Sequence, residues 1–107
     1  MTEPVPWSLR PQKRVEIIVD AAVLPRLSRR LDGLADTAYT VLPAAAGHSA
    51  SEGHWSRSGE LGAAGRYVVV FCLIEPDALD PLLSVTADLV RTGTASVAVS
   101  DVSVVSA

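Results

Sequence analysis

The residues of this chain able to do chemistry concentrate between Gly47 and Gly65, in GHSASEGHWSRSGELGAAG. His48, Glu52 and His54 are metal-ligating types. No i, i+4 helical spacing or paired-cysteine motif fixes them, so they read as solvated side chains and no metal site is assigned. The loop serines lack a partnered base in any recognisable motif. Asp77 and Asp80 have a simpler use at the start of a helix, with Asp77 as its N-cap. Cys72 stands mid-strand, where a buried inert thiol is the ordinary occupant. No catalytic residue is assigned, and the chain does not read as an enzyme.

Composition narrows the class. The sequence has 107 residues, a formal charge of −3 and 49% apolar residues, with a mean hydropathy of +0.31. That length suits one domain with a modest core. The apolar share is too high for a disordered chain and high for a lone small monomer, which favours an oligomer. An acidic balance argues against general attraction to nucleic acid or anionic lipid. Cys72 is the one cysteine and cannot form an intrachain disulfide, no secretion signal opens the chain, and the longest apolar run, Tyr67 to Ile74, has strand length, so a cytoplasmic protein without membrane insertion is expected.

The elements must place the loop. Residues 1–12 carry Pro4, Pro6 and Pro11 without periodicity and read as an extended lead-in, with Trp7 capping an exposed edge. The domain is expected over residues 13–107. Val15 to Asp20 is β-branched and forms the first strand. Leu24, Leu27, Leu31 and Leu34 recur at helical spacing, with Arg26, Arg29 and Arg30 on a solvated face, Pro25 in the first turn and Gly33 closing the end in a left-handed conformation. Ala38 to Leu42 is strand two. Arg66 to Glu75 is strand three, apolar on both faces; two helices cover only one face of a small sheet, so the other must meet another subunit or a ligand. A second helix follows Asp77 and stops at Gly93, and Ala95 to Val105 is strand four. The loop itself, residues 47–65, shows no helical or strand period, and a loop of that length within a small domain is usually functional. Strand, helix, strand, loop, strand, helix, strand is the ferredoxin-like α+β order: a four-stranded antiparallel sheet with two helices on one face.

Four stretches carry a resemblance: AYTVLP (Ala38 to Pro43), GHWSRSGE (Gly53 to Glu60), RYVVVFCL after the loop, and SDVSVV (Ser100 to Val105). With them the chain resembles the PII-like signalling proteins over about Lys13 to Val105, and its loop resembles most the carboxysome-associated branch. The resemblance implies a cytoplasmic homotrimer, in that branch carboxysome-associated, that binds adenine nucleotide and responds to bicarbonate at clefts between subunits. It further implies that the long loop, called the T-loop, signals to a partner enzyme or transporter. Carried onto this chain, the nucleotide would meet Thr40 and Val41 at the base, Gly47 by close backbone approach, and Arg91, Thr92, Gly93 and Thr94 at the phosphates. Arg57 and Arg66 would add positive charge. The turn RTGTA lacks the longer glycine- and lysine-bearing phosphate loop of the nitrogen-regulatory members, so AMP or ADP rather than ATP is the expected ligand. No cofactor is required. A trimeric divalent-metal-responsive protein of the same fold, using the loop histidines, is the second reading, and an enzyme of the dimeric ferredoxin-like barrel type the third.

Overall fold

A computed structural model describes residues 3, 5–49, 53–56 and 66–107. The elements run β1 (Ser8–Asp20), α1 (Leu24–Asp32), β2 (Tyr39–Pro43), β3 (Ala46–Ser49), β4 (Gly53–Ser56), β5 (Tyr67–Ile74), α2 (Leu79–Arg91) and β6 (Ala95–Ser106), with a single 3₁₀ turn before each helix. Strands β2, β5, β1 and β6 form one antiparallel sheet in that order. Two helices and this four-stranded sheet make the ferredoxin-like α+β fold expected from the element order.

Strand alternation decides what the helices cover. Val15, Ile17 and Val19 of β1 stand across from Cys72, Val70 and Val68 of β5, and all six are buried beneath Leu27 and Leu31 of α1 and Leu82 and Leu89 of α2. The opposite face carries Ile18 of β1, Leu42 of β2, and Val69, Phe71 and Leu73 of β5. No described element covers that face, and Ile18 and Leu42 are 43% and 51% exposed. Apolar residues on both sides of β5 thus have one cover in a single chain. Near the middle of this open face Arg14 lies 5.0 Å from the Phe71 ring centre and pairs with Glu16.

Local chemistry sets the ends. Gly93 adopts a left-handed conformation, φ 73°, and stops α2: its amide donates to the Val90 carbonyl at 3.1 Å, and the Thr94 amide to Leu89 at 2.8 Å. These two bonds satisfy orphan carbonyls in the pattern that usually calls for glycine. Gly33 differs from expectation. It stays right-handed at φ −77°, and the left-handed residue after α1 is Asp36, φ 59°, a type that tolerates that region better than most. Asp77 does not cap α2 either: Ala78 occupies the N-cap without a side-chain bond, and Asp77 lies in the preceding 3₁₀ turn.

Three further expectations change. Arg30 is not merely solvated; it makes a two-pronged contact with Asp88 of α2, at 2.6 and 3.1 Å, and donates to the Val85 carbonyl. That fork joins the helices and, with its hydrogen bonds, holds the Asp88 carboxyl below its ordinary pKa. The first strand begins at Ser8 rather than Val15, because β6 continues past Asp101 and pairs with it as far as Ser106. Pro11 is accommodated there because β5 ends opposite Lys13, so only one edge of β1 is paired at that position. Finally, part of the expected irregular loop is a hairpin: β3 and β4 pair with Gly47 across from Trp55 and His48 across from His54.

Candidate functional site

The long connection leaves the sheet at one end. Pro43 closes β2, Arg66 precedes β5, and the Ala44 amide donates to the Tyr67 carbonyl at 3.1 Å, which ties the outgoing chain to the returning one. Asp20, at the same end of β1, is the anchor beside it. Its carboxylate accepts from the Ala22 amide at 2.9 Å and from Arg66 Nε at 3.1 Å. The Ala22 amide is the larger cause, with Arg66 behind it, of a carboxyl held below the usual carboxylate range. Arg66 also lies 5.4 Å from the Tyr67 ring centre.

The turn after α2 lies at this same end, since Ala95, which starts β6, is level with Val19, Val68 and Pro43 across the sheet. Arg91, Thr92 and Gly93 are exposed and Thr94 is half-buried. The amides of Thr92, Gly93 and Thr94 are all engaged by the last carbonyls of α2, so glycine does not free an amide for an anion here. The turn instead offers the Arg91 guanidinium and two hydroxyls 2.8 Å apart, on Thr92 and Thr94. Arg91 makes no hydrogen bond or ion pair among the described residues, and it lies where the helix dipole is least favourable to an anion.

Thr40 and Val41 lie on β2. Thr40 faces the open side and is exposed, while Val41 packs half-buried against the core, so only Thr40 presents its side chain to solvent. Gly47 is in β3, and Arg57 lies outside the described residues. Glu52 and the side chain of His54 also lie outside them, and no group of three metal-ligating residues occurs among the described residues. Cys72 is buried in the core, where loss of solvation pushes its thiol pKa up.

The two halves of the expected site therefore share an end of the sheet but not an edge. β2 and β6 are the outermost strands, three inter-strand steps apart, or about 14 Å at the usual sheet spacing. Sequence reasoning did not find two other features. One is the Arg66–Asp20 anchor, whose only sequence signal is an aspartate ending a strand. The other is an open depression of about 570 Å³ at the far end of the sheet, lined by Gln12, Leu34, Asp36, Thr37, Ile74 and Glu75 among others, which no local motif marks.

No family model matches the sequence, and no curated protein does. Solved structures do match. The chain is similar to CPII, a nitrogen regulatory PII-like protein from Thiomonas intermedia K12 bound to ADP, AMP and bicarbonate, with a TM-score of 0.75 and 22% identity over 91% of each chain. The apo form of the same protein matches with a TM-score of 0.71 and 19% identity over 94% of this chain and 99% of that one. A PII-like signaling protein from Thermus thermophilus matches with a TM-score of 0.67 and 19% identity over 91% and 92% of the two chains. The fold is that of the PII-like proteins.

Proposed function

We propose that this chain is a PII-like regulator that binds an adenine nucleotide, ADP or AMP, between subunits of a homotrimer and signals through the order of the 47–65 loop to a partner protein. One observation carries the reading: the loop base on β2 and the Arg91–Thr94 turn before β6 share one end of the sheet but stand on its opposite edges. A neighbour placed edge to edge would bring its β6 end beside this chain's β2 end and complete the cleft. The uncovered apolar face of the sheet supports the same assembly, and the bound ADP, AMP and bicarbonate of the Thiomonas protein support the ligand class.

The expected chemistry is modest. Arg91 would provide a charge-assisted contact to phosphate, aided by the Thr92 and Thr94 hydroxyls. With no free amides in this turn, further phosphate contacts would have to come from the adjoining chain's loop side. A ligand moves the loop only if it binds one loop arrangement better than another. The reading includes bicarbonate as a second ligand, a cytoplasmic and carboxysome-associated location, and no catalytic role. Calorimetric titration with AMP, ADP, ATP and cyclic AMP, each with and without bicarbonate, tests it. Binding of ADP or AMP that strengthens with bicarbonate is expected, and absence of heat with every nucleotide would overturn it.

A further inference from the structure

The loop end of the sheet holds two guanidinium groups in different states. Arg91 stands without a bond among the described residues, whereas Arg66 is engaged: its Nε donates to Asp20 Oδ2 at 3.1 Å. The main chain of Arg66 is held as well, since its carbonyl accepts from the Ala21 amide at 2.5 Å. Tyr67, the next residue, is the cross-strand partner of Asp20. Arg66 therefore fastens the returning end of the long connection to the end of β1 and the approach to α1.

A phosphate that takes the Arg66 guanidinium must compete with Asp20 for it, and three features allow the exchange. Both side chains are partly exposed, 41% for Arg66 and 35% for Asp20, so separating them strands neither charge in an apolar interior. Asp20 keeps a second donor, the Ala22 amide at 2.9 Å, which is also the larger cause of its lowered pKa. The carboxylate thus stays ionised and bonded after the guanidinium leaves. Arg66 precedes β5, the inner neighbour of β2, and so lies one inter-strand step, about 5 Å, from the edge at which the adjoining copy's Arg91–Thr94 turn would sit. A guanidinium fork fits a phosphate as well as a carboxylate.

We propose that Asp20 sets the affinity of the nucleotide site: it holds Arg66 in an ion pair in the unliganded protein, and the nucleotide phosphate takes the guanidinium over on binding. The Ala21–Arg66 and Ala44–Tyr67 main-chain bonds persist through the exchange, while the side-chain tie between β1 and the returning loop is released. This rests on the nucleotide reading above and adds to it a residue that the reading leaves out.

Asp20→Asn tests the exchange, because asparagine keeps the bond to the Ala22 amide and removes the charge that Arg66 meets. Calorimetric titration is expected to show ADP binding about fivefold tighter, the upper worth of an exposed ion pair. A merely structural pair would instead weaken binding or leave it unchanged. Asp20→Ser, which also supplies a capping oxygen, should give the same gain. In an Arg66→Gln background ADP should bind more weakly, and the gain from Asp20→Asn should vanish. Unchanged or weaker ADP binding by Asp20→Asn with native circular dichroism would overturn the exchange and leave the nucleotide reading standing. An equal gain in the Arg66→Gln background would assign the effect to repulsion of the phosphate by Asp20 and also overturn it. Absence of binding of every adenine nucleotide to the wild-type protein would overturn both.

Discussion

At the residue scale the site reduces to a few charges, one without a partner among the described residues and one anchored. Arg91 is the cation of its turn, and a hydrogen bond to a charged group contributes about 1.5–3 kcal/mol, roughly 10- to 100-fold in affinity. Arg91→Ala should weaken ADP binding by that factor in calorimetry and leave the thermal midpoint of the unliganded protein unchanged; undiminished affinity would remove the turn from the site. Asp20 has a different signature. Its carboxyl is lowered by the Ala22 amide and then by Arg66, so folding holds it ionised more firmly than the unfolded chain does. Its contribution is present above the unfolded value of about pH 4 and is lost as pH falls through the lower folded value. Acid titration of Asp20→Asn should show a shallower fall in stability below about pH 4 than the parent, and identical slopes would mean the anchor contributes nothing.

At the element scale, what the sequence made legible was whatever a single segment encodes by itself. The leucine spacing of α1, the two apolar faces of β5 and the stop at Gly93 each follow from local periodicity or one residue's conformational freedom, and each is where it was expected. Two of the misses depend on partners distant in the chain. Residues 8–12 lack strand character on their own and are a strand because residues 102–106 pair with them. Arg30 reads as solvated in sequence because Asp88 lies 58 residues away. Gly33 failed as a left-handed stop because Asp36 makes that turn instead. The chemistry of the candidate site was not legible: the resemblance sets Arg91 to Thr94 at the phosphates, but the amides of Thr92, Gly93 and Thr94 are taken by the end of α2. Gly93→Ala tests this turn directly. Nothing lies within 4 Å of a Cβ placed there, so the cost is that of the left-handed backbone alone, about 1–2 kcal/mol. A lower urea midpoint by that amount is expected, and an unchanged midpoint would contradict the assigned cap.

At the scale of the whole molecule, the same sheet is complete as a fold and incomplete as a surface. One face is buried under α1 and α2, while Ile18, Leu42, Phe71 and Leu73 line the other, and among the described residues no further strand pairs with either outer edge. Burying a side chain such as isoleucine contributes about 1.5–3 kcal/mol, and a charge placed there would have to be desolvated without a partner. In the proposed trimer this face lies between subunits, so Ile18→Glu should give a folded monomer, read as a threefold lower mass by light scattering than the wild-type protein with native circular dichroism. A variant that stays trimeric would show that the subunits meet elsewhere.

The claim that joins these scales is that the nucleotide site exists only between copies. It is tested most directly by titrating ADP into the wild-type protein and into Ile18→Glu, with the mass of each measured under the same condition. The account predicts saturable binding to the wild-type protein as an oligomer and none to a folded monomeric variant, because β2 and β6 stand on opposite edges of one sheet. ADP binding to the monomeric variant with the affinity of the wild-type oligomer would contradict it.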